Sequence, residues 1–225
     1  DTADGDLVRD RILAEARALG YAPRVLDDFP CAATGSARLV CGRTQNILFE
    51  TGPRAGPALL LTTHHDSVFA SPGAADAGVG LAVWLEVAAH LRRAPPDKRV
   101  VFLFTDGEET GLLGARAFIA ADAYGIEVDR IFNLEARGVR GPALMFETSR
   151  PNAAPVADWS AHVRRPAANS LMAEVYEQMP NSTDLTVFLS AGFSGLNIAL
   201  VDGVEFYHSA RDSLETLDAR SVQHM

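Results

Sequence analysis

The chain has 225 residues, 48% of them hydrophobic and 22% charged, with a formal net charge of −9. That length suits one α/β domain over residues 1–225 with a sizeable core, and there is no run of eighteen apolar residues to cross a membrane, so this segment is expected to make no membrane contact of its own. The acidic balance argues against a nucleic-acid partner, because neutralising phosphates takes clustered Lys and Arg that the chain lacks.

Residues 7–19 predict an amphipathic helix, with Leu7, Ile12, Ala16 and Leu19 near helical spacing and Gly20 as its stop. Short β-prone runs follow at 24–26, 37–41 and 45–50, closed by Thr51-Gly52-Pro53, and together they read as a hairpin edge. Cys31 and Cys41 lie close together there, and either close a short disulfide in an oxidising compartment or stay as two thiols. Residues 58–63 form an almost continuous apolar run, as expected of a strand buried on both faces, and end at His64. A helix over 78–91 stops before Pro95-Pro96; a buried strand at 100–105 and a helix at 112–121 follow. Further strands are predicted at 130–134, 143–148 and 194–201, with helices at 153–162 and 171–178. The alternation predicts a three-layer αβα domain around a mixed, largely parallel sheet. Trp84 and Phe102 fall on buried elements and read as core, while His65, His90, His162 and His224 have no ligand context.

Chemistry-bearing residues recur where strands give way to loops, the place at which an α/β sheet assembles a site. In His64-His65-Asp66 the first and third side chains share a face, so Asp66 can hydrogen-bond one ring nitrogen of His64 and leave the other for a metal. Asp76 precedes a helix, where capping the helix is its ordinary reading. Glu108 and Glu109 are adjacent acids at the end of a buried strand, where a cation or a shared proton relieves their repulsion. Glu135 ends another strand and has Arg137 as a possible partner; His208 follows the last strand. Taken singly, each has a plain structural explanation. Taken in order, they suggest a metal centre with a base.

The stretches HHDS, PGAADAGVG, DGEETGLLGA, NLEARG and YHSARDSLETL, in this order and at these separations, resemble the co-catalytic di-zinc aminopeptidase and glutamate carboxypeptidase II family. SPGAADAGVG and NLEARG are most similar to its endoplasmic reticulum metallopeptidase and vacuolar membrane protease branch, whose members carry the domain beside transmembrane helices. The resemblance implies two zinc ions bridged by Asp76, one held also by His64 and Glu135 and the other by Glu109 and His208. It implies Glu108 as general base, Tyr207 as a hydrogen-bond donor to the reacting oxygen, and a supporting place for Asp184 in the loop 180–184. The activity it implies is that of a metallo-exopeptidase, an aminopeptidase in the first instance, with a peptide as substrate and an extracytoplasmic location. The chain opens at Asp1 without an initiator Met, which reads as a processed product or a piece excised from a longer, membrane-anchored protein.

Two positions depart from the family pattern. Ala77 stands where many members follow the bridging Asp with Asp or Asn, which removes a hydrogen bond and makes unusual backbone geometry there less expected. Glu135 stands where many aminopeptidases have Asp, which bears on recognition of a free amino terminus. The alternatives are a single-zinc glutaminyl cyclase and a non-catalytic receptor-like domain, both built on the same fold. Asn181-Ser182-Thr183 also fits a glycosylation acceptor.

Overall fold

The computed structural model describes residues 2–34 and 38–225. Among the described residues, ten strands run in chain order: β1 (Arg24–Asp28), β2 (Cys31–Thr34), β3 (Arg38–Cys41), β4 (Thr44–Thr51), β5 (Ala58–His64), β6 (Arg99–Thr105), β7 (Val128–Ala136), β8 (Arg140–Thr148), β9 (Ala167–Ala168) and β10 (Gly195–Asp202). Eight of them form one sheet in the order β1-β4-β6-β5-β7-β10-β8-β9. The inner strands β6, β5, β7 and β10 are mutually parallel, and antiparallel strands flank them at β4 and β8.

Helices cover both faces. Alternate residues of the apolar strands point to opposite sides, as the two-residue period requires. Leu60, Val101 and Leu103 pack with Phe118 of α3 (Leu113–Ala120) and with Leu185 and Phe188 of α6 (Asp184–Ser190). Leu61, Phe102 and Phe104 pack on the other face with Ile12 and Ala16 of α1 (Ala3–Ala18) and with Trp84 and Ala88 of α2 (Gly78–Arg93). Both Trp84 and Phe102 are core residues, and the Trp84 indole N–H donates to the Thr62 carbonyl at 2.8 Å. Burying each such side chain contributes about 1.5–3 kcal/mol, offset largely by the entropy of ordering the chain.

The mixed, largely parallel sheet and most of the expected elements are present, with shifts of a few residues at their ends. The expected edge is different in detail. β1 pairs directly with β4, and β2 and β3 leave the main sheet as a separate hairpin in which Cys31 sits opposite Cys41 and is bonded to it. Ala37, included in the expected strand, lies outside the described residues. Of these strands and the helices, four short ones were not expected: β2, β9, α6 and α7 (Ala219–His224). Predicted helices at 153–162 and 171–178 correspond to α4 (Ala153–His162) and α5 (Ser170–Glu177).

One close contact positions the site. A Cβ on Gly80 would lie 2.3 Å from Thr63 Oγ1, so only glycine lets the start of α2 rest directly on the end of β5. That approach brings Asp76, just ahead of α2, beside His64.

Candidate metal centre

Four neighbouring parallel strands deliver the acids and histidines to one edge of the sheet. His64 ends β5, Glu108 and Glu109 follow β6, Glu135 lies at the end of β7, and His208 follows β10. Strands β6 and β7 lie on either side of β5, which makes this edge a point where the winding reverses and a crevice opens. Gly107, at φ +71°, turns the chain out of β6 so that the two glutamates face inward. His208 adopts φ +52°, a costly conformation for a non-glycine residue and one found at sites where a side chain is held in a required direction.

The five expected ligands come together in two groups that share Asp76. His64, Asp76 and Glu135 offer atoms within 4.8 Å of one another, as do Asp76, Glu109 and His208. His64 Nε2 is 3.1 Å from Asp76 Oδ1 and 3.6 Å from Glu135 Oε2. His208 Nε2 is 3.2 Å from Asp76 Oδ2 and 3.0 Å from Glu109 Oε2. One carboxylate therefore turns one oxygen to each group. Glu108 forms a further group of the same compactness with His64 and Glu109. Asp76 does not cap α2: that position is taken by Ala77, which makes no side-chain cap bond. The Asp76–Ala77 peptide is cis, so the unusual backbone geometry that the alanine made less expected is present.

Electrostatics set these groups apart. Burial works to raise the Asp76 pKa, but His208 and His64 hold it down at about 2. Burial and the nearby Asp76 carboxylate push Glu109 up to about 7. Burial also carries Glu108 well above the ordinary carboxylate range, helped by Glu135, Asp184 and Asp66 and opposed by His64. Burial opposes the charged form of His64, yet Asp66, Asp76 and Glu135 raise its pKa well above the ordinary histidine value. Tyr207 stacks on the His208 ring with centroids 3.7 Å apart, and burial among the carboxylates raises its pKa, so its hydroxyl stays a donor.

The residues fit zinc. Two imidazoles and three carboxylates are the donor types that this borderline ion takes, and Glu109 Oε1 is buried with no protein partner. His64, Asp76 and Glu135 could hold an ion, and so could Asp76, Glu109 and His208.

Two acids, Asp66 partly buried and Asp212 wholly buried, fasten the loops that carry these groups. Asp66 differs from expectation: His64 Nδ1–H donates to the Asp66 carbonyl oxygen at 2.9 Å, while the carboxylate lies 3.5 Å away. That carboxylate instead accepts the backbone N–H groups of Glu108 and Glu109, both at 3.1 Å. Burial works to raise the Asp66 pKa, but the histidines and the Glu108 amide hold it low. Asp212 does the same for the other loop, accepting from the amides of Ala75 at 2.7 Å and Asp76 at 3.1 Å. Sequence reasoning assigned Asp212 no role; its place in the stretch after His208 was the available signal. Asn133 was also missed, and its amide donates to Glu135 at 3.1 Å and to Asn197 at 3.0 Å. Asp184 is fully buried at the start of α6 and accepts from the Thr105 hydroxyl, while burial pushes its pKa up to about 7. It touches none of the five ligands directly by hydrogen bond. Asn181, Ser182 and Thr183 line the cavity beside Glu108 and Tyr207, so the glycosylation pattern falls on the wall of this cavity.

Known proteins resemble this chain in sequence and in fold. A vacuolar membrane protease of Clavispora lusitaniae is 34% identical over 172 residues, 75% of this chain and 16% of that protein. Endoplasmic reticulum metallopeptidase 1 of Mus musculus is 32% identical over 185 residues, 79% of this chain and 21% of that protein. The chain thus spans about a fifth or less of the length of these relatives. Among solved structures, a Zn-dependent exopeptidase from Parabacteroides distasonis superposes with a TM-score of 0.73 at 18% identity, covering 100% of this chain and 87% of that one. A glutaminyl cyclase of Tannerella forsythia gives 0.76 at 19% identity, covering 100% and 88%. These two likenesses concern the fold. A model described as Peptidase family M28 matches residues 46–225, a segment that contains every strand end of the centre. With most of its length matched in this way, the chain belongs to peptidase family M28.

Proposed function

We propose that the chain is the catalytic domain of a zinc-dependent exopeptidase that cleaves peptides at their amino terminus with two metal ions. The observation that carries this reading is the pair of ligand groups sharing Asp76, with the carboxyl group of Glu108 beside them and belonging to neither. When bound, zinc supplies Lewis acidity for a peptide carbonyl and lowers the pKa of a coordinated water. Glu108 takes the proton from the attacking water and returns it to the leaving amine, a role suited to a carboxylate whose pKa is raised. The Tyr207 hydroxyl donates to the oxygen that gains charge as the carbonyl carbon becomes tetrahedral. Asp66 holds the Glu108 and Glu109 backbone in place, so that base and ligand keep their relative positions.

The test pairs a metal count with kinetics. Purified protein is expected to hold two zinc ions per chain, and Glu108→Gln is expected to keep both while losing about 10²–10⁴-fold in kcat on aminoacyl substrates. Near-normal turnover in that variant removes Glu108 as the base. A cyclase of the same fold is the second reading, favoured by the solved cyclases that superpose; one zinc per chain and ring closure of amino-terminal glutamine would establish it. The complete ligand set speaks against a non-catalytic receptor-like domain. The Cys31–Cys41 bond supports an oxidising, extracytoplasmic location, and the likeness to a vacuolar membrane protease and an endoplasmic reticulum metallopeptidase supports attachment to a membrane protein. No helix among the described residues is long and apolar enough to cross a membrane.

A further inference from the structure

We propose that Arg137 recognises a substrate carboxylate next to the scissile bond, so that the preferred substrates are dipeptides with a free carboxyl terminus. The inference rests on the peptidase reading above and deepens it. Arg137 is the one Arg or Lys, among the described residues, that lines the cavity shared by Asp76, Glu108, Glu135 and Tyr207. It lies just past the end of β7, where its backbone N–H donates to the Leu200 carbonyl at 2.8 Å and ties the chain to β10.

The expected partner of Arg137 is not its partner. Glu135 is turned to Asn133 and His64 instead. The half-buried guanidinium lies 5.1 Å above the Tyr207 ring, and forms no ion pair among the described residues. Arg99, Arg130 and Arg140, elsewhere on the sheet, each meet a carboxylate at 2.7, 2.8 and 3.3 Å. Stacking over a ring engages the face of a guanidinium and leaves its in-plane N–H donors open. Those donors form a fork that matches a carboxylate, and within this cavity no protein carboxylate fills it. A cavity with carboxylates on the metal side and one open guanidinium is complementary to a zwitterion whose amine and carboxylate flank a single peptide bond.

Zinc-loaded wild-type protein, Arg137→Ala and Arg137→Lys are compared on leucyl-leucine and leucyl-leucinamide. Wild type is expected to favour the free dipeptide in kcat/KM by about 10–100-fold. That ratio should fall to about one in Arg137→Ala and lie between the two in Arg137→Lys. A second pair, leucyl-glutamyl and leucyl-glutaminyl peptides with amidated ends, separates the sources of the carboxylate. An Arg137-dependent preference for the glutamyl peptide places the carboxylate on a side chain, and upholds recognition while removing the dipeptide preference. Equal rates on acid and amide in wild type, or an equal drop on all peptides in Arg137→Ala, overturn the proposal; the equal drop assigns Arg137 to holding Tyr207. If wild type cleaves none of these peptides, the peptidase reading fails. Calorimetric binding of leucyl-leucine against its amide then decides recognition separately: Arg137-dependent preference upholds it and equal binding overturns it.

Discussion

A carboxylate that accepts two consecutive backbone N–H groups does more than fill a hydrogen-bond quota. Asp66 does this for Glu108 and Glu109, and Asp212 for Ala75 and Asp76. Each fixes the direction in which the following acid leaves the backbone, which is how outer partners tune a metal site. Asp212 is almost wholly buried, so an asparagine there would set an NH₂ group against one of the amides it now satisfies. Asp212→Asn should therefore weaken zinc binding by about 10–100-fold, through Asp76, with the fold retained. Competition with a chromogenic chelator measures this, and unchanged affinity would show that Asp212 is not needed to aim the shared carboxylate. At this scale the gathering of the five candidate ligands and Glu108 was legible only as an ordered set, since each taken singly has a plain structural explanation. Asp212 and Asn133 were not, since a single Asp or Asn in a loop or strand gives no sign of which distant amide or carboxylate it will meet.

At the scale of elements, β5, β6, β7 and β10 were legible from short apolar runs bounded by polar turns, the pattern of strands covered on both faces. Helix α6 was not: seven residues containing Asp184, Thr186 and Ser190 carry little periodicity, and it is held by Leu185 and Phe188 packing against α3 and the sheet. Nor was β2, whose Cys-Ala-Ala-Thr lacks the β-branched and aromatic content of a strand and depends on pairing with β3. The β2–β3 hairpin stands apart from the main sheet and is closed by the Cys31–Cys41 bond. Replacing both cysteines with serine should cost at most about 3 kcal/mol, the scale for a short closed loop. Because the ligands come from other strands, the zinc content should stay the same. Denaturant titration with a parallel metal assay checks both; loss of zinc would mean that the hairpin supports the centre.

For the whole molecule, the net charge is −9, and several of the acids gather in one place. Asp66, Asp76, Glu108, Glu109, Glu135 and Asp184 all lie partly or wholly buried around one edge of the sheet. Crowding carboxylates away from water is unfavourable, and cations bound there relieve it. A ligand that binds only the folded state adds RT ln(1 + [L]/Kd), about 4 kcal/mol at a thousandfold excess over Kd. At about 2–4 °C per kcal/mol for a chain of this size, stripping zinc should lower Tm by on the order of 10 °C, and added zinc should restore it. Calorimetric scans in chelator and in excess zinc make the comparison. Coincident transitions would argue that the cluster tolerates its own repulsion.

By itself, the sequence determined the class of the fold, the order of the strand-end motifs and the residue types of the centre. These follow from local pattern: apolar runs of strand length, helical spacing, and acids and histidines placed just beyond them. Only the tertiary structure decided that Asp76 turns one oxygen to each histidine, that the Asp66 carboxylate accepts two amides of a loop forty residues away while its carbonyl takes the His64 ring N–H, and that Arg137 faces the cavity without an ion-pair partner among the described residues. Those outcomes depend on which strands lie side by side. β6, β5, β7 and β10 are neighbours in space but far apart along the chain, and no local pattern encodes the distance between their ends.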